Sequence, residues 1–272
     1  MSLVNTNWLE KKLDEVKIID CSWHMPQTKR NSFEEYQDQH IKNAIFFDLD
    51  KNSKTVVDLP HMLTDIKSWE DILSDMGIRN EDQIIIYDNS DVISSCRCWY
   101  NFIYFGHDPN LIHVLDGCLK KWINEKKQTV NSSTKNISSN YIANEKKKLV
   151  KNKKQIDENI NINEFKVIDA RSRERFEGRI PEPRKGIRSG SIKNSFCLPF
   201  SELINEDHTF ISKEKILDKF KLMKIKIDEK VVFTCGSGVT ASVLALAYSL
   251  IGIKYKPTIY DGSWSEYGKI KI

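Results

Sequence analysis

The chain has 272 residues, 40% of them hydrophobic, and a net charge of +4. This predicts a globular protein of one large domain or two ordinary ones, and no apolar run is long enough to cross a bilayer. The lysines concentrate in one stretch without interleaved aromatic residues, which argues against a nucleic-acid surface. Six cysteines without a C-x-x-C pair predict reduced thiols and no metal site. With no leader pattern at the start, we expect a cytoplasmic location, with a mitochondrial one also possible.

Two passages of the chain contain the same parts in the same order. The first reads "VKIIDCS", "QHIKNAIFF", "QIIIYDN" and "HVLDGCLKKW", and the second reads "FKVIDARS", "GSIKNSFCLP", "KVVFTCG" and "TIYDGSWSEY". The spacings agree, because Asp20 and Asp88 are 68 positions apart and Asp169 and Cys235 are 66 apart. A repeat of this length predicts a duplicated domain.

Short β-branched runs alternate with helix-period segments in each copy, which predicts parallel strands joined by crossover helices. Ser68 and Asp71 have the spacing of a capping box, and Gly77 is placed to end the helix that follows them. Ser212 is predicted to cap a later helix. We therefore expect an α/β fold with one sheet per copy.

A polar stretch rich in lysine and asparagine separates the two copies and has no strong apolar period. It is predicted to be a linker. The expected organisation is a first domain over residues 1–124, a linker over 125–163 and a second domain over 164–272.

One cysteine lies where a strand passes into a helix, in "VVFTCGSGVTASVLALA". Cys235 ends the strand, and Gly236 to Gly238 lead to an apolar helix expected to begin at Thr240. Small residues allow backbone N–H groups to converge on an anion, and cysteines at helix N-termini react as thiolates. The position predicts a nucleophile for Cys235, although most free cysteines are small buried apolar residues, as we expect for the other five.

A cysteine in such a loop suits a phosphatase or a sulfur-transfer enzyme. Cysteine phosphatases of related architecture need an arginine six positions after the cysteine, and this chain has Ala241 there. Phosphate chemistry is therefore disfavoured.

The stretch "CGSGVTAS" resembles the active-site loop of the 3-mercaptopyruvate sulfurtransferases, which belong to the rhodanese family. The motifs "FFDLD", "LPHML", "IIIYD", "VLDG", "RF", "EPR" and "YDGSWSEYG" also occur in family order and span nearly the whole chain. The resemblance implies two tandem rhodanese-like domains, each a parallel β-sheet flanked by helices. Only the second would be catalytic, with the active site in the cleft between the domains.

The resemblance also implies roles for single residues. Cys235 would take sulfur from 3-mercaptopyruvate as a persulfide and release pyruvate. Ser237 would form a proton relay with Asp50, and His61 would line the same site. Donors for the substrate and persulfide would come from the loop, at Gly236, Gly238, Val239 and Thr240.

Arginines are expected to bind the substrate carboxylate, since their geometry suits bidentate contacts. The family pattern falls on Arg175 and Arg184. Their neighbours Arg173, Arg179 and Arg188 would assist or be solvated.

The resemblance implies no metal and no organic cofactor, and a thiol acceptor such as thioredoxin or glutathione, or else cyanide. Two alternatives stay open. One is a thiosulfate sulfurtransferase, although that group carries basic residues directly after the cysteine, where this chain has Gly236 and Ser237. The other is a persulfide relay protein without enzymatic activity, for example in tRNA thiolation.

Overall fold

The protein forms two units, each built around its own parallel sheet. The computed structural model describes residues 2–54, 58–134, 136–252 and 256–270. The first unit comprises Met1–Lys54, Leu63–Lys146 and Glu206–Thr209, and the second comprises Thr55–Met62, Lys147–Asn205 and Phe210–Ile272. Each unit thus includes a short segment from the other half of the chain.

The first unit contains seven strands and five helices among the described residues. The strands are β1 (Leu3–Val4), β2 (Lys17–Asp20), β3 (His40–Ile41), β4 (Ala44–Phe46), β5 (Ile84–Tyr87), β6 (Ile112–Leu115) and β7 (Thr129–Val130). The helices are α1 (Thr6–Glu10), α2 (Ser32–Asp38), α3 (Ile66–Asp75), α4 (Ser95–Tyr104) and α5 (Cys118–Asn124). The main sheet has the order β1-β6-β5-β2-β4 with parallel pairing, and β3 pairs with β7 antiparallel.

The second unit repeats this plan. Its described strands are β8 (Val150–Lys151), β9 (Lys166–Asp169), β10 (Phe196–Cys197), β11 (Val231–Thr234) and β12 (Ile259–Tyr260). Its described helices are α6 (Lys153–Ile162), α7 (Arg173–Phe176), α8 (Lys213–Leu222), α9 (Val239–Ile251) and α10 (Ser263–Tyr267). The sheet order is β8-β12-β11-β9-β10, also parallel. Taken in chain order, the two sheets have the same topology, so the expected α/β architecture is confirmed.

The central strands are apolar on both faces because helices cover both sides of a parallel sheet. All four residues of β5 and of β11 are buried. Their register aligns the carboxyl ends of neighbouring strands along one edge of each sheet, because Tyr87 lies opposite Asp20 and Thr234 lies opposite Asp169. Chemistry in open α/β sheets occurs at this carboxyl edge.

One predicted capping box is wrong. Helix α3 begins three residues earlier than expected, with Asp65 as its N-cap, and the Asp65 carboxylate accepts from the Ser68 N–H at 3.0 Å. Ser68 therefore lies inside the first turn. Gly77 follows the end of that helix with φ of 68°, and Ser212 caps α8, as predicted.

The stretch expected to be a linker contains regular structure. Residues 129–130 form β7 in the first unit. The short 3₁₀ helix Lys147–Leu149, strand β8 and helix α6 belong to the second. Helix α6 begins with a full capping box between Asn152 and Gln155. Only two of its side chains, Ile156 and Asn159, are buried. With so few core positions, the sequence shows no clear apolar period by which this helix could be predicted.

Across the described residues, no helix combines the length and apolar character needed to span a membrane.

Asn152→Ala tests whether the end of the expected linker is a folded part of the second unit. Loss of the cap should destabilise α6 by about 1 kcal/mol, and the midpoint of urea unfolding should fall. Lys154→Ala is the control, because that exposed side chain should change stability by less than about 0.5 kcal/mol. Equal midpoints for the two variants would contradict a stabilising role for α6.

Candidate active site

The turn between β11 and α9 buries the candidate nucleophile. Cys235 is only 2% exposed and directly follows the strand. Gly238 has φ of 83°, a left-handed conformation that favours glycine, and the helix begins at Val239, one residue earlier than expected. The turn aims the Gly238 N–H at the Cys235 sulfur, at 3.1 Å. One member of the expected set of N–H donors is therefore in place.

Helix α10 holds the backbone of this turn. The Trp264 N–H donates to the Cys235 carbonyl at 2.9 Å, and the Ser265 N–H donates to the Gly236 carbonyl at 3.0 Å. The Cys235 N–H donates in turn to Ser263 Oγ at 3.3 Å. Because both carbonyls are bound from outside the turn, the N–H groups can point toward the sulfur without leaving buried acceptors unpaired.

A histidine and a serine form a buried polar pair beside the cysteine. His61 Nδ1 lies 2.9 Å from Ser237 Oγ, and both residues are buried. His61 was expected within the first domain, but the segment that carries it belongs to the second unit. Its φ of 58° is left-handed, a conformation that histidine adopts more readily than most residues. The pair can pass a proton in either direction, according to the tautomer of the ring.

The two predicted arginines both face the residue after the cysteine. A Cβ atom added to Gly236 would lie 3.3 Å from Arg175 Nη2 and 3.6 Å from Arg184 Nη1. Arg184 Nη1 also donates to Ser265 Oγ at 3.5 Å. Glycine at position 236 therefore leaves room for two guanidinium groups, and the positive charge of the site comes from side chains outside the loop.

A buried carboxylate positions Arg175. Glu182 accepts from Arg175 Nε at 3.2 Å and from Nη2 at 2.6 Å, and its side chain is only 4% exposed. The same carboxylate accepts from Arg171 Nη1 at 2.8 Å. Glu182 thus bridges two arginines, and this bidentate contact fixes the plane of the Arg175 guanidinium.

Arg171 is a buried residue that sequence reasoning missed. Its guanidinium also pairs with Asp169, at 2.6 Å, and lies 4.5 Å from the centroid of the Trp264 ring. Burial alone would lower the pKa of Arg171, but the carboxylates of Asp169 and Glu182 outweigh it and raise the pKa. Arg171 directly follows "VIDA" at the end of a predicted strand. This position could have indicated a functional residue, since active-site residues of open α/β sheets lie at the carboxyl ends of strands.

The remaining arginines of this stretch have partners elsewhere. Arg173 pairs with Glu202, and Arg179 pairs with Glu177. Arg188 lies over the aromatic rings of α10.

Asp50 belongs to the first unit, where it is exposed and its carboxylate accepts from Trp23 Nε1 at 3.0 Å.

Val239 and Thr240 form the first turn of α9, with Val239 buried and Thr240 half-buried.

The corresponding turn of the first unit holds a carboxylate in place of the thiol. Asp88 follows β5 and is completely buried. Its oxygens accept from the N–H groups of Ser90 at 2.8 Å and Ser95 at 2.9 Å, and from the Cys118 thiol at 3.4 Å. Burial raises the pKa of Asp88 against the opposing effect of these hydrogen bonds. The geometry offers no sulfur nucleophile at this position.

All six cysteines are free thiols. Burial raises the pKa of Cys21, Cys96 and Cys118 well above the ordinary value for a thiol, and raises that of Cys197 to about 12. These four thiols are therefore protonated at neutral pH, in keeping with the structural role expected for them.

Gly238→Ala should slow the reaction of Cys235 with iodoacetamide at pH 7 about tenfold, the scale expected when one hydrogen bond to a charged group is lost. A side chain disfavours the left-handed φ and would turn the N–H away from the sulfur. Alkylation would be followed by peptide mass analysis.

Gly186→Ala is the matched control, because Gly186 also has a positive φ but an added Cβ would meet nothing within 4 Å. If both variants react as fast as the unchanged protein, the Gly238 N–H does not stabilise the thiolate.

Comparisons with known proteins agree with this architecture. The family model for the rhodanese-like domain matches residues 5–125 and 152–269. The thiosulfate/3-mercaptopyruvate sulfurtransferase 1, mitochondrial, of Arabidopsis thaliana is 36% identical, over 97% of this chain and 75% of that protein. The 3-mercaptopyruvate sulfurtransferase of Mus musculus is 33% identical, over 98% of this chain and 91% of that one. The crystal structure of SseA from Escherichia coli, described as a 3-mercaptopyruvate sulfotransferase, superposes with a TM-score of 0.87 at 26% identity and covers 97% of this chain and 99% of its own. This chain therefore belongs to the rhodanese family of sulfurtransferases, with two rhodanese-like domains in tandem.

Proposed function

We propose that the protein is a 3-mercaptopyruvate sulfurtransferase with Cys235 as its sulfur carrier. The observation that carries this proposal is the pair of arginines against Gly236, beside a thiol that receives a backbone N–H. A neutral loop with cations at one side suits a substrate that presents a thiol to Cys235 and a carboxylate to the arginines. The names of the Arabidopsis and mouse relatives support the same substrate.

The first half-reaction moves one sulfur atom. The Cys235 thiolate attacks the thiol sulfur of 3-mercaptopyruvate, an S–S bond forms, and the C–S bond of the substrate breaks. The electron pair of that bond remains on carbon as the enolate of pyruvate. The proton of the substrate thiol is transferred to this carbon, so the products are pyruvate and an anionic persulfide on Cys235.

Arg175 and Arg184 would bind the substrate carboxylate. Glu182 occupies the Nε and Nη2 side of the Arg175 guanidinium, so we assign Arg175 a fixed substrate contact through Nη1 and the second hydrogen of Nη2, the atom that faces Gly236. Arg184 Nη1 donates to Ser265 Oγ at 3.5 Å and is also the Arg184 atom that faces Gly236, so this side of the guanidinium is placed to contact the substrate. Two cations also stabilise the negative charge that develops on the enolate.

The hydrogen-bonded pair of His61 and Ser237 would transfer the proton. Ser237 is two residues from Cys235, and its Oγ contacts His61 Nδ1 at 2.9 Å, within the range for proton transfer. The family resemblance of "FFDLD" supports Asp50 as the acid that completes this relay.

The persulfide would be stabilised by the turn itself. The Gly238 N–H contacts the sulfur at 3.1 Å. The backbone N–H groups of Gly236 in the turn and of Val239 and Thr240 at the start of α9 would be the further donors. Fixed donors of this kind stabilise an anion without a titrating base.

In the second half-reaction a thiol acceptor removes the sulfur. The acceptor thiolate attacks the outer sulfur of the persulfide, a new S–S bond forms, and the bond to Cys235 breaks. Cys235 leaves as a thiolate, so the cycle is closed without a metal or organic cofactor. Reduced thioredoxin and glutathione are the proposed thiol acceptors. Cyanide is the other proposed acceptor, and its carbon would attack the outer sulfur and leave with it as thiocyanate while Cys235 leaves as a thiolate.

We propose a reducing compartment, the cytoplasm or the mitochondrion. Six free thiols are typical of such a compartment.

A thiosulfate sulfurtransferase and a non-enzymatic persulfide relay are the alternatives. The uncharged Gly236 and Ser237 after the cysteine favour a carboxylate thiol over the thiosulfate dianion. The buried relay pair and the two arginines favour an enzyme, since a passive carrier needs neither.

Exposure to 3-mercaptopyruvate without an acceptor should add one sulfur atom per chain and release an equal amount of pyruvate. Intact mass and a pyruvate assay would measure both. Cys235→Ser should abolish both, because the proposed sulfur carrier is removed. The control is Cys197→Ser, since Cys197 is a half-buried thiol of the same unit with a pKa raised by burial, and this variant should behave like the unchanged protein. If sulfur is loaded from thiosulfate or from a desulfurase but not from 3-mercaptopyruvate, one of the alternatives holds.

Arg184→Lys should raise the KM for 3-mercaptopyruvate about tenfold, the scale of one charge-assisted hydrogen bond. Lysine keeps the charge but loses the planar pair of donors. Steady-state pyruvate release would give KM and kcat separately. Arg179→Lys is the control, because Arg179 pairs with Glu177 at the surface. A KM that changes equally in both variants would remove Arg184 from the substrate site.

A further inference from the structure

A cavity of about 410 Å³ lies beside Arg184 in the second unit. Three cations line it, namely Arg184, Lys185 and Lys269, together with apolar groups that include Leu59 and Ile187. We call it the lysine cavity. Its volume is typical of sites for small organic ligands, and its mixture of cations and apolar surface suits a molecule with carboxylates and a short hydrocarbon backbone.

Two lining residues of the lysine cavity, Ser265 and Arg184, also contact or face the cysteine turn. Ser265 lines it, and the Ser265 Oγ donates to the Gly236 carbonyl at 2.6 Å while accepting from Arg184 Nη1 at 3.5 Å. Arg184 thus faces Gly236 and the cavity at once. A ligand in the cavity would therefore lie one side chain away from the residue that follows Cys235.

The charge of the cavity favours an anion. Asp58 is the one acidic residue among its described lining residues, against three cations. Asp58 pairs with Lys269 at 2.8 Å, but their side chains are 94% and 53% exposed. An ion pair as exposed as this contributes little, so a carboxylate ligand can share or replace it. Lys185 is exposed as well and is free to move toward a ligand.

We propose that the lysine cavity is the binding site for the sulfur acceptor, and that this acceptor is a small thiol with carboxylate groups. The inference rests on the proposed function and names the acceptor class for it. Lys185 and Lys269 would bind the acceptor's carboxylates, while its thiolate attacks the outer sulfur of the Cys235 persulfide. The S–S bond to Cys235 then breaks, and the acceptor leaves as its persulfide.

Two sets of cations separate the two half-reactions. The pair at Gly236 would serve the donor, whose carboxylate is two carbons from its sulfur. Glutathione carries carboxylates much further from its thiol, and the cavity places two lysines beyond Arg184 for such groups. A neutral thiol gains nothing from these lysines.

The test compares two acceptors on the same variants. Glutathione is the charged probe and 2-mercaptoethanol the neutral one, with 3-mercaptopyruvate saturating. The measured quantity is kcat/KM for glutathione divided by that for 2-mercaptoethanol. We expect this ratio to fall about threefold in Lys185→Gln and in Lys269→Gln, and about tenfold in the double variant, the scale of exposed ion pairs.

Lys193→Gln is the matched control, because Lys193 is an exposed lysine of the same unit outside the lysine cavity, and the ratio should stay unchanged. A ratio that is the same in all variants would overturn the proposal, as would a ratio that falls equally in the control. A fall seen with thioredoxin but not with glutathione would overturn the small-thiol assignment in favour of a protein acceptor. Failure of the unchanged protein to form a persulfide from 3-mercaptopyruvate would instead contradict the proposed function, and mass analysis detects that separately.

Discussion

The proposed reaction needs a negatively charged sulfur at Cys235, and the second unit holds this sulfur in a position that is almost closed to water. A buried anion is costly unless fixed dipoles or cations replace its hydration. Here the replacement begins with one backbone N–H, from Gly238, and that contact depends on a left-handed φ and on the two carbonyls held by α10. Strand β11, Gly238 and the short helix α10 together keep the Gly238 N–H directed at the Cys235 sulfur.

The cations of the site are tied to the same sheet edge. Asp169 ends β9 and lies in register with Thr234, the residue before Cys235. Arg171 binds Asp169 and Glu182, and Glu182 binds Arg175, so a chain of ion pairs leads from the strand end to the guanidinium beside Gly236. Removing one member of such a buried chain leaves its partner charge uncompensated. The network thus fixes where positive charge lies relative to the sulfur, and its two carboxylates offset the repulsion between Arg171 and Arg175.

Much of the fold and of the cysteine turn could be predicted from the sequence, because the strongest sequence signals are local. The repeat of strand-end motifs predicted two sheets of equal topology, and the small residues around Ser237 marked the turn. The parts that were missed depend on contacts between distant segments. Helix α6 is held by an asparagine whose amide pairs with the Phe165 backbone, which no apolar period reveals. Arg171 is not part of the family motifs "RF" and "EPR". Its role in holding Glu182, and through it Arg175, is visible only once the chain is folded.

The two copies show how one turn accommodates different side chains, a carboxyl group in the first unit and a thiol in the second. In the first unit the N–H groups of Ser90 and Ser95 bind the carboxylate of Asp88, and a thiol from Cys118 donates as well. In the second unit the Cys235 sulfur takes this position and accepts from the Gly238 N–H, and the loop after it contains glycine on both sides of a serine, so that guanidinium groups can approach. A carboxylate that is covalently part of the turn satisfies the donors permanently and repels any incoming anion. A thiolate satisfies the same donors but can also extend by one sulfur atom. The duplication has therefore kept the geometry of the turn in both copies, and under the proposed function only the copy with a sulfur at this position can form the new bond.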